Sequence, residues 1–314
     1  MNAPLDPVST PAVTVVIPTH NRAAELPRAV QTVLSQGVPV EVIVVDDAST
    51  DHTVQVAQAL AAQHPQVRVV AFAQNRGGGH ARNAGIDAAQ APWLAFLDSD
   101  DAWLPGKLQA QLKHLAACAA ADPATAQVIS FTNLVVDHAD GQEPLPWNEL
   151  PFDASTTARR YLLEQHQVIQ TSTLLMPTAV ARAVRFDGAL RRHQDLDFVL
   201  RAESAGVRFL YLNECLVRYS ADPLAVRVSR RENVAPSLAW LERATPYLSP
   251  REIGQFYLRH VYDVELKQAP RVAWGRAWRA ARAGATTPGA LCWRTAKLLV
   301  PAGLKARLKG LRHG

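Results

Sequence analysis

The stretch VEVIVVDDAST, Val40 to Thr50, decides the fold. An apolar run ends directly in two adjacent carboxylates, Asp46 and Asp47. A short apolar run bounded by turn residues reads as a buried strand. Working outward, the same unit recurs. VTVVIP, Val13 to Pro18, is a strand stopped by proline. A helix is expected from about Glu25 to Ser35, with Leu26, Val30, Val33 and Leu34 on one face and Gly37 closing it. After the acidic pair, Ser49 or Asp51 caps a second helix. VRVVAFA is a third strand and GHARNAGIDAAQ a helix. WLAFLD is a fourth strand, followed by a helix from about Pro105 to Ala120 and the strand AQVISFTNLVV.

Alternation of this kind predicts an α/β fold: a mostly parallel central sheet with flanking helices, joined by right-handed crossovers. In such sheets ligands bind beyond the carboxyl ends of the strands. Asp46, Asp47 and Asp98 all sit at such ends, so they are expected to face a cleft. Past Gly141 the alternation fails, and GQEPLPWNELPF reads as a loop. Helical segments follow near Thr157–Glu164 and Pro177–Val184. RRHQDLDFVLRAESAG begins polar and becomes an amphipathic helix with Leu196, Val199 and Leu200 inward. VRFLYLNECLVRYS reads as a hairpin or a pair of edge strands, and the chain after Asp222 as largely helical.

Composition excludes several classes. With 314 residues, 48% hydrophobic and 19% charged, the chain is globular and large enough for a sizeable core. Three scattered cysteines form neither a disulfide framework nor a metal motif, and they suit a reducing compartment. The start has no signal-peptide pattern, and no apolar run reaches membrane-spanning length. A cytoplasmic location is therefore expected. The net charge of +5 is uneven: from Arg271 onward there are ten Lys and Arg and no acid, so the rest of the chain sums to −5.

LDSDD places Asp98, Asp100 and Asp101 within four residues. Such a cluster repels itself unless solvent or a cation neutralises it, and oxygen ligands of this kind suit Mg²⁺ or Mn²⁺. A cation held by one or two carboxylates keeps positions for phosphate oxygens. The other reading is a solvated turn that caps the next helix. NRGGGHARNAG, Asn75 to Gly85, opens a helix with three glycines that permit tight turning and close backbone approach. It lacks the G-x-G-x-x-G spacing, and no G-x-x-x-x-G-K-[ST] occurs, so neither a dinucleotide site nor an ATP-hydrolysing loop is expected.

VVIPTHNR, EVIVVDDASTDHT, NRGGGHARNAG and WLAFLDSDD, in this order and at these spacings, together resemble family 2 glycosyltransferases, the inverting nucleotide-sugar enzymes of the A-type fold. The resemblance covers about Val13 to Asp222. It implies a short tail (residues 1–12), a catalytic domain (13–222) with nucleotide-binding (13–135) and acceptor (136–222) halves, and a helical basic extension (223–314). By resemblance Asp47 binds the base of a UDP- or dTDP-sugar, with Thr19, Asn21 and Arg22 near the nucleotide and Asp46 shaping the turn. Arg82 and Asn83 match pocket-lining positions, although Arg82 could equally pair with a carboxylate. The metal motif falls on Asp98-Ser99-Asp100: Asp100 is the ligand of Mn²⁺ or Mg²⁺, and Asp98 contacts the ribose or supports the ion. Asp101 caps the next helix, Trp103 packs, and Thr171, Ser172 and Thr173 line the cleft near the sugar.

The family carries its general base in a Glu-Asp pair at a helix start. Here the aspartate is Asp195, and Gln194 replaces the glutamate. Asp197 and His193 are rivals for the base, with His193 placed better for acceptor contact; Arg201 fits a structural ion pair. The resemblance implies a glycan or lipid-linked acceptor in surface-polysaccharide synthesis. Helices rich in Trp, Leu and basic residues near the C-terminus, including Trp274, Trp278, Leu298, Leu299, Leu304, Leu308 and Leu311, suit a peripheral seat on the anionic inner face of the membrane, or else an amphipathic pair packed on the domain. No nucleic-acid module accompanies that charge. A nucleotidyltransferase would need a Gly-rich basic loop after the first strand, which PTHNRAAELP is not. The non-enzyme alternative is a nucleotide-sugar-binding or scaffold protein.

Overall fold

β1 (Val13–Thr19) and β2 (Val40–Asp46) run side by side in parallel, from Val13 opposite Val40 to Thr19 opposite Asp46. Every residue of β2 is buried, so helices must cover both faces of this part of the sheet. The buried Glu41 is satisfied by Thr14 Oγ1 at 2.6 Å and Arg68 at 2.5 Å. The computed structural model describes residues 10–121, 127–137, 145–153, 155–220 and 233–299.

Connecting helices are α1 (Leu26–Leu34), α2 (Thr53–Gln63) and α3 (Gly78–Ala88), and β3 (Val67–Ala71) and β4 (Trp93–Phe96) complete a parallel block in the order β3-β2-β1-β4. α1 buries Leu26, Ala29, Val30 and Val33. Leu34 is only partly buried against the same core. Gly37 closes the turn with φ +71. Asp51 accepts the Thr53 amide at the start of α2, whereas Ser49 is spent on Asp46.

The second half is mixed. β5 (Ala102–Trp103) and α4 (Lys107–Ala121) lead to β6 (Val128–Asp137). β7 (Leu175–Pro177) wedges antiparallel between β4 and β6, and α5 (Thr178–Val184) and α6 (Gln194–Ser204) follow. β8 (Arg208–Ser220) completes the sheet, which among the described residues has eight strands in the order β3-β2-β1-β4-β7-β6-β8-β5. The hairpin reading of VRFLYLNECLVRYS is corrected: it is one 13-residue strand, parallel to β6. Its polar middle marks a bulge, because the register jumps from Thr132–Leu212 to Asn133–Cys215. α6 also differs from its periodicity. Asp197 is buried with Phe198, Val199 and Leu200, while Leu196 is only half-buried.

The chain divides into two compact units, residues 1–227 and 228–314. The boundary expected at Asp222 lies outside the described residues. The second unit contains α7 (Ala235–Ala244), α8 (Pro250–His260), α9 (Tyr262–Gln268), α10 (Pro270–Arg282) and α11 (Pro288–Leu299). Trp240 and Phe256 pack with ring centroids 4.3 Å apart. Ser249 and Glu252 form a reciprocal capping box at the start of α8. α10 buries only alanines, Ala273, Ala277, Ala280 and Ala281. Its tryptophans lie outside that face: Trp274 is exposed and stacks on Trp278 at 6.2 Å. Among the described residues no helix is long and apolar enough to cross a membrane. Leu304, Leu308 and Leu311 lie outside them.

Candidate active site

The carboxyl ends of β1, β2 and β4 bring Thr19, Asp47 and Asp98 to one edge of the sheet, as strand order alone requires. The turn after β2 is built by Asp46. Its two oxygens accept from the amide and hydroxyl of Ser49 at 2.9 and 2.5 Å, so this carboxylate is spent on the turn. Asn21, in the left-handed region at φ +53, accepts the Thr50 amide at 2.8 Å. It stitches the β1 end to the β2 end. The buried Thr19 Oγ1 has no hydrogen-bond partner among the described residues.

Asp47 reaches the glycine run. Its oxygens accept from the backbone N–H groups of Arg76 (2.6 Å) and Gly77 (2.7 Å). A carboxylate has about four acceptor sites, so two remain for a ligand N–H. Gly77 holds φ +92, and an added Cβ would lie 2.9 Å from Arg191 Nη1. At Gly79 a Cβ would lie 3.0 Å from the Asp187 carbonyl, and at Gly85 it would lie 2.2 Å from Val16 Cγ1. The glycines therefore let α3 approach β1 and the segment before α6.

That approach carries Arg82 to the acidic motif. Its Nη2 donates to Asp98 Oδ1 at 2.5 Å and its Nη1 to Gln194 Oε1 at 2.7 Å. The carboxylate pairing foreseen as one of two alternatives is thus present, together with a link to α6. Asn83, by contrast, spends its amide on the backbone N–H and C=O of Phe186, so it supports the fold rather than lining a pocket.

Asp98 and Asp100 keep 27% and 32% of their side chains exposed, enough to meet a ligand. Arg22 reaches Asp100 Oδ2 at 3.3 Å, and Arg28 donates to the Asp100 carbonyl at 2.8 Å. Asp101 does not cap α4. It is buried and accepts from Ser172 Oγ (2.8 Å), Gln170 Nε2 (3.0 Å) and the Ser220 amide (3.2 Å). Burial, and then the charges of Asp98 and Asp100, push its carboxyl well above the usual range. Gln170 also donates to Asp98 Oδ2 at 3.3 Å, and Ser172 Oγ accepts the Asp98 amide at 3.0 Å. Trp103 is buried and donates from Nε1 to the Ser172 carbonyl, which is packing. Gln170 and Arg28 were invisible in the sequence: they lie 72 residues from their partners Asp98 and Asp100, and neither belongs to a motif.

Among the described residues no three His, Cys, Asp or Glu side chains converge to hold an ion by themselves. A Mg²⁺ or Mn²⁺ ion that keeps water and phosphate oxygens needs only one or two carboxylates. The donor set of Asp100 and Asp98, both partly exposed, fits that requirement.

Asp195 opens α6. One oxygen accepts its neighbour's amide, that of Leu196, at 2.8 Å. Burial raises its carboxyl above the ordinary aspartate range; Arg82 pulls it back down and Asp98 pushes it up. The start of its helix is tied to the acidic motif through Gln194, which accepts from the same Arg82 that donates to Asp98. Asp197 is excluded as a rival, because it is buried and locked to Arg201 Nε at 2.7 Å. Arg201 also donates to the Val184 and Arg185 carbonyls, a structural role. His193 stands just before α6 at φ +62.

Residues 14–176 match the sequence profile described as glycosyl transferase family 2. The amylovoran biosynthesis glycosyltransferase AmsB of Erwinia amylovora is 28% identical over 257 residues, covering 81% of this chain and 83% of that protein. The succinoglycan biosynthesis protein ExoO of Rhizobium meliloti is 37% identical over 224 residues, covering 66% of this chain and 60% of that protein. Residues 1–349 of S. aureus TarS share the fold, with a TM-score of 0.60 at 19% identity over 89% of this chain and 82% of that one. The same TarS segment has a structure in complex with UDP-GlcNAc.

Proposed function

The chain belongs to glycosyl transferase family 2, and on that premise we propose that it transfers a sugar, with inversion, from a UDP- or dTDP-sugar to a hydroxyl of a glycan or lipid-linked acceptor. The observation that carries this reading is the Arg82 bridge, which joins Asp98 to the residue preceding Asp195. Asp98 and the start of the helix that carries Asp195 are thereby tied together.

Asp47, through its remaining lone pairs, accepts a ring N–H of the base, and Thr19 and Arg22 flank the nucleotide. Asn21 fixes the loop beneath it. Asp98 and Asp100 would hold Mn²⁺ or Mg²⁺, which when bound supplies positive charge to the diphosphate. Arg82 and Arg22 orient the two carboxylates. Asp195 takes the proton from the acceptor hydroxyl as its oxygen attacks the anomeric carbon. That carbon–oxygen bond forms while the bond to the diphosphate breaks, and the nucleoside diphosphate leaves with the electron pair. A raised carboxyl is a stronger base than an ordinary aspartate, which suits the task.

The names of AmsB and ExoO support a product in exopolysaccharide synthesis, and the TarS complex supports a uridine donor. The C-terminal unit is the contact with an anionic membrane on the cytoplasmic side. Val272, Trp274, Trp293 and Leu299 are exposed there, and no acid occurs from Arg271 onward.

Calorimetric binding of UDP, dTDP, GDP and CDP, each with and without Mn²⁺, tests the reading. Metal-dependent binding selective for UDP or dTDP is expected. Folded protein that binds none of the four would leave no donor site and would favour a scaffold. Binding without release of nucleoside diphosphate from any donor would favour a nucleotide-sugar-binding protein.

A further inference from the structure

The C-terminal unit contains a cavity of about 360 Å³ among α7, α8 and α10. Its walls are largely apolar, including Leu241, Ile253, Tyr257 and Ala283. Its charge comes only from Arg276 and Arg279, both on α10. The helices meet closely at Gly254, where an added Cβ would lie 2.8 Å from that of Ala280. Tyr257 lines the space while its hydroxyl donates to Glu265 at 2.6 Å. Arg276 is held by Glu265, so its charge is answered within the unit. Arg279 is exposed and pairs with no acid among the described residues. Val272 is exposed on the same stripe of α10 as Arg276, Arg279 and Ala283, whereas Trp274, half a turn round, is exposed on the opposite flank.

A half-open, largely apolar groove lined on one side by a guanidinium suits a hydrocarbon chain that ends in a phosphate. We propose that this cavity binds one anionic phospholipid of the bilayer, its chain among α7, α8 and α10 and its phosphate on Arg279. This rests on the membrane contact suggested above, not on the transfer chemistry. Val272, exposed on the stripe that lines the cavity, lies on the bilayer surface in this arrangement, and the cavity draws a single lipid partly out of it. The site adds lipid-class selectivity to a contact that would otherwise depend on general charge.

The test uses the full chain and two readouts. Flotation with phosphatidylglycerol–phosphatidylcholine vesicles and with phosphatidylcholine vesicles reports the membrane contact. Calorimetry with dodecyl phosphate below its micellar concentration reports the cavity. Saturable binding is expected, weaker by at least ~10-fold for inorganic phosphate and for dodecyl maltoside, because each lacks one half of the ligand. Ile253→Phe fills a half-buried wall and Arg279→Glu reverses an exposed charge; each is expected to weaken dodecyl phosphate by ~10-fold with an unchanged melting curve.

If neither variant changes dodecyl phosphate binding, the cavity assignment is wrong even where vesicles still float. If anionic vesicles fail to float the protein, the membrane contact fails and takes the proposal with it. Equal binding of dodecyl maltoside would make the cavity a neutral apolar pocket and overturn the assignment. A clear preference for farnesyl phosphate would reassign it to an isoprenoid-linked acceptor. None of these outcomes touches the nucleotide-binding test above.

Discussion

Arg82 stands between Asp98 and Gln194, donating to the carboxylate of one at 2.5 Å and to the amide oxygen of the other at 2.7 Å. Gln194 in turn donates from Nε2 to the Leu190 carbonyl at 2.6 Å. A glutamate at 194 could accept from Arg82 but could not make that donation. The glutamine that departs from the family pattern is therefore fitted to its place by having both a donor and an acceptor. Arg82→Ala is expected to lower kcat/KM by ~10²-fold, the scale of losing one charged contact at a site of developing charge. Arg82→Lys restores little, because a point charge cannot reach both partners. Arg82 holds the Asp195 carboxyl down, so in Arg82→Ala the acidic limb of the pH–rate profile moves to higher pH. An unmoved limb would separate Arg82 from the base.

Asp195→Asn is expected to lower kcat by ~10²- to 10⁴-fold, the usual worth of a general base, with nucleotide binding retained. Its effect on stability has a definite sign. The folded-state carboxyl is raised, so the wild type is penalised once pH rises above the unfolded value and through the folded one. The variant should melt higher than the wild type at neutral pH, and the difference should vanish at acid pH. Thermal scans across pH check this.

Asp100→Ala is expected to abolish the Mn²⁺-dependent part of UDP affinity while leaving the metal-free part within ~3-fold, since Asp47 and the β1 end are untouched. Chelation of the wild type should reproduce the variant. Calorimetry with and without a chelator decides it, and equal metal dependence in both proteins would remove Asp100 as the ligand.

Gly77→Ala is expected to cost ~1–2 kcal/mol of stability, because φ +92 is a region that L side chains avoid. The same change disturbs the amide that holds Asp47, so uridine nucleotide affinity should fall as well. Denaturant melts and calorimetry on one preparation test both effects. A fully stable variant with normal affinity would contradict the role given to this glycine.

Lys107 is fully buried, with its Nζ at 2.8 Å from Gln111 Oε1 and 4.1 Å from the Trp103 ring centre. Burial pushes the amine well below the ordinary lysine range. The unfolded chain therefore binds the proton more tightly across that interval, and stability falls as pH drops through it. Lys107→Met should be at least as stable as the wild type at pH 7, with its relative advantage shrinking toward high pH. A large loss in thermal scans at pH 7 would mean that the amine is charged and held by the Trp103 face.

The sequence by itself determined the local elements and the edge on which the site lies. Apolar runs such as Val42–Val45 are buried because their neighbours leave no other use for them, and alternation with helices makes the adjoining strands parallel. Asp47, Asp98 and Asp100 follow strand ends in the chain, so their common edge is a consequence of topology. Tertiary structure alone decided which groups meet. Gln170 beneath Asp98, Arg82 on Gln194 and Asn83 on Phe186 are contacts across 72, 112 and 103 residues, and no periodicity encodes them. It also made Asp101 a buried acceptor instead of a helix cap, joined a supposed hairpin into one strand through a bulge, and turned the α10 tryptophans away from an alanine face. Period and composition record how much surface a segment hides. They do not record which partner hides it, because that depends on side chains brought together only by the closed fold.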